Sequence, residues 1–109
     1  MAIPHAAPGM PVDLRGQEEV LSEAQTNALV KTAEFEVIRL MIPAGHEVCN
    51  NHRVPGPIHV QCLEGHIAFT ADSDERSVRA GQWLFLPGDV PHAIRGVEDS
   101  LVLLTMIFR

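Results

Sequence analysis

Proline and glycine corners constrain this chain most, and they cluster between residues 43 and 65, PAGHEVCNNHRVPGPIHVQCLEG. Pro43 cannot donate a hydrogen bond to a strand ladder, and Gly45 accepts the positive φ of a turn. The Pro-Gly-Pro run at residues 55–57 forces a second corner. Because apolar segments lie between these corners, we predict two short strands, at about residues 47–53 and 58–63.

The rest of the chain repeats this pattern of short apolar segments and turn residues. Residues 35–42 are largely apolar on both faces, as in a strand inside a sandwich or barrel. A polar loop at residues 72–74 has the length of a hairpin connection. The pattern predicts about eight to ten strands in an all-β barrel or sandwich. Besides the two above, they are expected at residues 28–32, 35–42, 66–71, 76–79, 82–86, 92–95 and 101–108.

The length of 109 residues predicts one domain with a single modest core. We assign the barrel to residues 27–109 and an extended tail to residues 1–26. Residues 1–16 are rich in proline, which lacks a donor N–H and favours an extended path. Within the tail only residues 17–25 have helical composition, so a short helix of one or two turns is one alternative there.

Charge and cysteine content exclude several classes of function. The formal net charge is −6 and Lys and Arg are not clustered, which argues against a nucleic-acid partner. No apolar run has the length of a membrane span, and the N-terminus lacks the features of a secretory signal, so we expect a cytoplasmic protein with no membrane partner. In the cytoplasm, Cys49 and Cys62 are expected to stay reduced rather than to form a disulfide.

Two spaced motifs stand out, one with Gly81, Pro87 and His92 and the other with Gly45, His52 and Gly65. They resemble those of small single-domain cupins, the RmlC-like conserved-barrel family. The family's second motif is G, five residues, P-x-G, two residues, H, three residues, N. Residues 81–96 follow this spacing throughout. The matching positions are Gly81, Pro87 and His92, with Asp89 at the second Gly and Gly96 at the Asn.

The first motif fits in frame but is degenerate. The family pattern is G, five residues, H-x-H, three or four residues, E, six residues, G. Counting back from Gly65 puts Ile58 at the Glu and Val54 at the second His. His52 takes the first His, with six rather than five residues after Gly45. A second frame makes His52 the second His and Asn50 the first, and it leaves the number of ligands unchanged.

The resemblance implies a double-stranded β-helix, or jelly-roll barrel, whose usual site holds a divalent metal by three histidines and one carboxylate. For this chain it leaves two readings of His52 and His92. They are either the remaining ligands of a weakly bound Zn, Ni, Fe or Mn ion or two cavity-lining histidines without metal. Apolar residues would then line the ligand cavity, and the candidates are Val54, Ile58, Val60 and Cys62.

The other potential donors do not complete this ligand set. His46 lies six residues before His52, which is about 20 Å along a straight strand. His59 neighbours Ile58 and is expected on the opposite face of its strand. Cys62 shares the parity of Ile58 but lies about 13 Å further along, and is more simply a packed thiol.

These observations lead to three hypotheses about function. The first is a barrel that binds an unknown small molecule, with an optional metal at a degenerate two-histidine site. The alternative is a metal-dependent dioxygenase or isomerase that uses His52 and His92. The third is a structural or partner-binding domain whose cavity is filled by side chains. Whether the protein is an enzyme stays open at this stage.

A homodimer is also expected, partly on the resemblance. Strands that are apolar on both faces gain from burial against a second subunit in so small a chain. Trp83 and Phe85 lie on such a strand, so we expect them in the core or in an interface.

Overall fold

The computed structural model describes residues 6–15 and 23–108, and for residues 50–52 it describes the backbone alone. These residues form nine strands and no helix. The strands are β1 (Gln25–Lys31), β2 (Phe35–Ile42), β3 (Glu47–His52), β4 (Ile58–Glu64), β5 (His66–Ala71), β6 (Asp74–Arg79), β7 (Trp83–Leu86), β8 (His92–Gly96) and β9 (Ser100–Ile107).

The strands form two antiparallel sheets. The five-stranded sheet has the order β1-β2-β9-β4-β7, and the four-stranded sheet has the order β3-β8-β5-β6. One core cluster draws buried side chains from both sheets, including Val60 of the first and Phe69 of the second. The architecture is therefore the all-β jelly-roll barrel that the sequence predicts.

Period-two alternation decides which side chains enter this core. In β4, Ile58, Val60 and Cys62 are buried, whereas His59 is half-buried and Gln61 is exposed. In a pleated strand, alternate residues point to opposite faces, so β4 lines the core with one face only. Its other face lies on the outer side of the five-stranded sheet.

Two strand starts differ from the sequence prediction by more than one residue. β1 begins at Gln25, three residues before the start predicted at residue 28. β6 begins at Asp74 and not at residue 76, so the hairpin loop contains only Asp72 and Ser73. Both loop residues have positive φ, 50° and 74°, as tight two-residue hairpin turns require.

The described part of the tail packs on β1 and β2. The N–H of Ala6 donates to the carbonyl of Leu29 at 2.7 Å. Arg39, only 4% exposed, donates to the carbonyls of Leu14 and Arg15 and to Asn27 Oδ1. Burial lowers the pKa of Arg39, although its attraction to Asp13 and Glu64 opposes that shift. The carbonyls of residues 14 and 15 therefore stabilise a buried charge.

Two further expectations concern the tail helix and the cysteines. The helix considered for residues 17–25 falls mostly outside the described residues. Cys49 and Cys62 are both free thiols, as predicted.

Among the described residues, no helix combines the length and apolar character that a membrane span requires.

Candidate functional site

The candidate histidines are neighbours on adjacent strands of the four-stranded sheet. In the β3–β8 pair, Val48 is opposite Ile94 and His52 is opposite His92. Directly opposed Cα atoms in an antiparallel pair are about 4.5–5.5 Å apart. The register thus brings together the two residues selected from the separate motifs.

A bulge in β3 separates these two paired positions. Between Val48 and His52 the register shifts, and Cys49 has a φ of 54°, which is uncommon for a residue other than glycine. The first motif has one residue more than the family spacing in this same part of the chain. Three residues of β3 but only one of β8 lie between the two pairs, so the bulge brings His52, and not residue 50, opposite His92.

The two corners that flank the histidines are joined to each other. The N–H of Asp89 donates to the carbonyl of Val54 at 2.8 Å. A Cβ atom added to Gly88 would lie 1.8 Å from the carbonyl oxygen of Pro55. Asp89 has a φ of 65° at the position where the cupin motif has glycine. This close approach fixes the end of β3 against the start of β8.

His92 is buried, at 3% exposed, and its ring orientation is defined by two contacts. Its Nδ1 lies 3.2 Å from the carbonyl oxygen of Val90. Since a carbonyl only accepts, this hydrogen bond requires a proton on Nδ1, which assigns the lone pair of the neutral ring to Nε2. The ring also stacks on Phe69, with centroids 5.9 Å apart and planes 9° apart.

The residues predicted to line a ligand cavity belong to the barrel core. Ile58, Val60 and Cys62 are each no more than 2% exposed, and Val54 packs partly buried against the same cluster. The Cys62 thiol donates to the carbonyl of Glu64 at 3.3 Å, and burial raises its pKa. Contact of these four side chains with a ligand stays a prediction.

The described residues do not fit the usual four-ligand metal site of cupins. No three or more His, Cys, Asp or Glu residues within the described ranges are grouped so that they could hold a metal ion. Val54 and Ile58 have no lone pairs to donate. His46 is exposed, and His59 lies with its ring 5.3 Å from that of Trp83, on the outer face of the sheet as predicted. A role of His52 and His92 as metal ligands stays a prediction.

A cavity of about 540 Å³ lies between β6 and β7, the edge strands of the two sheets. Its apolar wall consists of Phe69, Ala71, Val78, Leu84 and Leu86. The sequence analysis missed this cavity, because the spacing of residues along the chain does not reveal which two strands become edges on the same side of a barrel. The cavity is open to the surface here because the edge strands β6 and β7 belong to different sheets and are not hydrogen-bonded to each other.

The cavity and His92 share a wall. Phe69 lines the cavity and stacks on the His92 ring. Ala71 also lines the cavity and is the residue of β5 directly opposite His92. A molecule in the cavity therefore lies one layer of side chains from this buried histidine.

Polar and aromatic residues complete the cavity. The polar lining residues are Asp74, Arg76, Ser77 and Gln82. The rings of Trp83 and Phe85, 5.8 Å apart, also line it, yet they are 54% and 58% exposed. Placement of these two rings in the core is therefore wrong for the single chain, whereas placement in an interface stays a prediction.

Comparison with known proteins gives structural neighbours only. No family sequence model and no curated protein sequence match the chain. A conserved Streptococcus pyogenes protein of unknown function is 24% identical, with a TM-score of 0.85 and coverage of 100% of this chain and 96% of its own. A cupin superfamily protein from Desulfitobacterium hafniense is 17% identical, with a TM-score of 0.84 and full coverage of both chains.

A third neighbour is the cupin domain of an XRE family transcriptional regulator from Enterobacter cloacae. It is 19% identical, with a TM-score of 0.68, and the match covers 81% of this chain and 98% of that domain. At these identities the likeness is one of fold. The jelly-roll topology, the two joined corners and these neighbours together establish that the protein is a small barrel with the cupin, RmlC-like fold.

Proposed function

We propose that the protein binds a small molecule in the cavity between β6 and β7, in the cytoplasm, and that His92 senses or orients this molecule through the shared wall. The observation that carries the proposal is the cavity itself, which has a volume of about 540 Å³ and reaches Phe69 and Ala71 beside His92. Sites for small molecules commonly measure about 300–1,000 Å³ and are mostly apolar with a few polar groups.

The cavity supports a binding role more directly than it supports catalysis. The described residues offer no grouped set of three metal-ligating side chains, and the sequence has none of the motifs of covalent catalysis. One structural neighbour is a domain of a transcriptional regulator. A barrel of this fold is thus compatible with a role in recognition alone.

A fragment screen tests the proposal. Apolar and aromatic fragments are added to isotope-labelled protein, and amide chemical shifts are followed by NMR. We expect saturable shifts in β5, β6 and β7, centred on Phe69, Ala71 and Leu84. The cavity-filling variant Ala71→Leu should abolish them, because the added isobutyl group takes up part of the space beside His92.

Ala93→Leu is the matched control for this experiment. Ala93 is half-buried on β8 next to His92, is opposite Thr70, and does not line the cavity. It should leave the fragment shifts unchanged. Absence of any saturable shift in the wild-type protein, or equal binding by Ala71→Leu, would contradict the proposed function.

The metal-dependent enzyme is the second candidate, and the direct register of His52 with His92 favours it. Two histidines alone form a weak site for Zn, Ni, Fe or Mn, since protein metal sites usually have three or more protein ligands. We derive no reaction step from such an ion. The candidate is a two-histidine site whose remaining positions would be open to water or substrate.

Metal analysis of protein purified without chelator tests this candidate. Stoichiometric metal that is lost in both His52→Ala and His92→Ala supports it, whereas metal at background level in the wild type ends it. His59→Ala is the control, because His59 lies on the outer face beside Trp83. Circular dichroism of each variant separates loss of metal from loss of fold.

A further inference from the structure

We propose that the ligand of this cavity is an apolar α-amino acid, with its carboxylate bound by Arg76 and its ammonium bound by Asp74. The inference rests on the proposed function, and it names the class of molecule that the cavity takes. Four observations carry it: the strand positions of the two charges, their lack of protein partners, the apolar wall beside them and the charge of the chain.

The alternation of β6 places Asp74 and Arg76 on one face and Glu75 and Arg79 on the other. Val78, two residues beyond Arg76, is 3% exposed and packs in the core, which identifies the inward face of this strand. Asp74 and Arg76 both line the cavity, and so does Ser77 of the other face, whereas the charged residues of that other face, Glu75 and Arg79, do not. Residues two apart in a strand have Cα atoms about 6.8 Å apart. Two opposite charges therefore stand side by side along one wall.

Within the described part of the protein, neither Asp74 nor Arg76 forms an ion pair. The ion pair of this region joins Arg95 to Glu75 on the other face, at 3.7 Å. Among the described residues, no carboxylate lies within 4.0 Å of the Arg76 guanidinium, and no cationic nitrogen lies within 4.0 Å of the Asp74 carboxylate. Both groups are therefore available to a ligand that carries the complementary charges.

The rest of the cavity suits the side chain of such a ligand. Phe69, Leu84 and Leu86 form an apolar surface next to the two charges. The net charge of −6 repels a simple anion, whereas a zwitterion carries no net charge. An apolar α-amino acid carries an ammonium, an adjacent carboxylate and an apolar side chain. These three groups match Asp74, Arg76 and the apolar surface of the cavity.

Tryptophan fluorescence measures this binding directly, because the chain has a single tryptophan and Trp83 lines the cavity. The probes are L-leucine and three analogues of the same shape. Isocaproate lacks the ammonium, isoamylamine lacks the carboxylate, and isocaproamide is neutral. We expect leucine to bind about three- to tenfold more tightly than each analogue, since each loses one or both charge-assisted contacts at a partly solvated site.

Variants of β6 assign the two contacts to residues. Arg76→Gln should weaken leucine binding about three- to tenfold and leave isoamylamine unaffected. Asp74→Asn should weaken leucine binding to a similar extent and leave isocaproate unaffected. Glu75→Gln and Arg79→Gln are matched controls on the opposite face of the same strand, and they should bind leucine as the wild type does.

The outcomes separate this inference from the proposed function. If isocaproamide or apolar fragments bind in the cavity but leucine binds no more tightly, the amino-acid inference is overturned and the proposed function stands. Leucine binding by Arg76→Gln and Asp74→Asn that is as tight as that of the wild type also overturns it. In that case the two charges serve only to deter edge pairing of β6. If no probe binds, both proposals fail.

Discussion

Gly88 allows the two corners of the candidate site to approach each other closely because it has no side chain. The space that a Cβ atom would need is occupied by the carbonyl oxygen of Pro55, at 1.8 Å. Gly88 does not have a positive φ, so its role is close approach and not an unusual backbone conformation. At Asp89 the opposite holds, because the backbone is left-handed and a side chain is nevertheless present. The two residues illustrate separate reasons for glycine in the P-x-G region.

Gly88→Ala should therefore destabilise the protein by about 2 kcal/mol, because the corners at residues 55–57 and 87–89 must move apart. Urea denaturation followed by circular dichroism measures this loss. Gly81→Ala is the comparison, since Gly81 has a φ of 87° and open space around it. That variant should cost about 1 kcal/mol from backbone strain alone. A smaller loss for Gly88→Ala than for Gly81→Ala would contradict the close approach.

The two thiols make stability depend on pH in the alkaline range. Burial raises the pKa of both Cys49 and Cys62 above the ordinary value of 9.0. The folded state thus retains thiol protons that the unfolded state releases, so this contribution is complete below about pH 9 and is lost as pH rises above it. Each thiol changes the free energy of unfolding by at most about 1.4 kcal/mol per pH unit.

Urea denaturation between pH 7.5 and 10 tests this expectation. The chain has no tyrosine, so tyrosine ionisation does not overlap with the thiols. The double variant Cys49→Ala, Cys62→Ala should show a flatter dependence of unfolding free energy on pH, whatever its stability at neutral pH. An equally steep decline in the double variant would assign the effect to other groups.

At the scale of elements, the two residues that close the β5–β6 hairpin are not the residue types preferred for their left-handed backbone conformation. Asp72 and Ser73 both have positive φ, and asparagine followed by glycine is the preferred pair for such a turn. The double variant Asp72→Asn, Ser73→Gly should raise the free energy of unfolding by about 0.5–1 kcal/mol. Thermal and urea denaturation measure the gain.

Ser73→Ala is the control for the hairpin prediction. It keeps the Cβ atom in the left-handed conformation, and therefore should not stabilise the protein. If it matches the double variant, relief of backbone strain is not the source of the gain.

The strands themselves follow closely from the sequence, because proline, glycine and period-two alternation act locally. β2, β3, β4 and β5 begin where these signals predict. The bulge in β3 was not predicted, since a residue inserted before His52 can be absorbed by a longer turn as well as by a bulge. Its position at Cys49 depends on pairing with β8, which lies more than forty residues away in the chain.

At the scale of the whole molecule, the order of strands decides which surfaces remain without a partner. β7 ends the five-stranded sheet, and on its outer side Trp83 and Phe85 are more than half exposed. In the sheet register, Gln61 and Leu103 continue the row that starts at Trp83. The sequence predicts that this strand is apolar on both faces, but only the assembled sheet reveals that the described residues leave one face uncovered.

We expect this face to be covered by a second copy of the chain in a homodimer. Light scattering coupled to size-exclusion chromatography should give a mass of twice 11.9 kDa. The double variant Trp83→Ser, Phe85→Ser should shift the equilibrium toward the monomer, because buried aromatic rings dominate interface energetics.

Val97→Ser is the control for the dimer, since Val97 is 41% exposed in the loop between β8 and β9. It should leave the mass unchanged. A wild-type protein that elutes as a monomer over the whole accessible concentration range would rule out the homodimer.

The buried guanidinium of Arg39 also has a practical consequence. It fastens the carbonyls of residues 14 and 15 over β2, near the end of the five-stranded sheet opposite to β7. Three strands, β2, β9 and β4, lie between β1 and β7, so the two ends of the sheet are about 19 Å apart. When the protein is immobilised on a sensor surface through its N-terminal segment, the opening between β6 and β7 should remain in contact with the flowing solution.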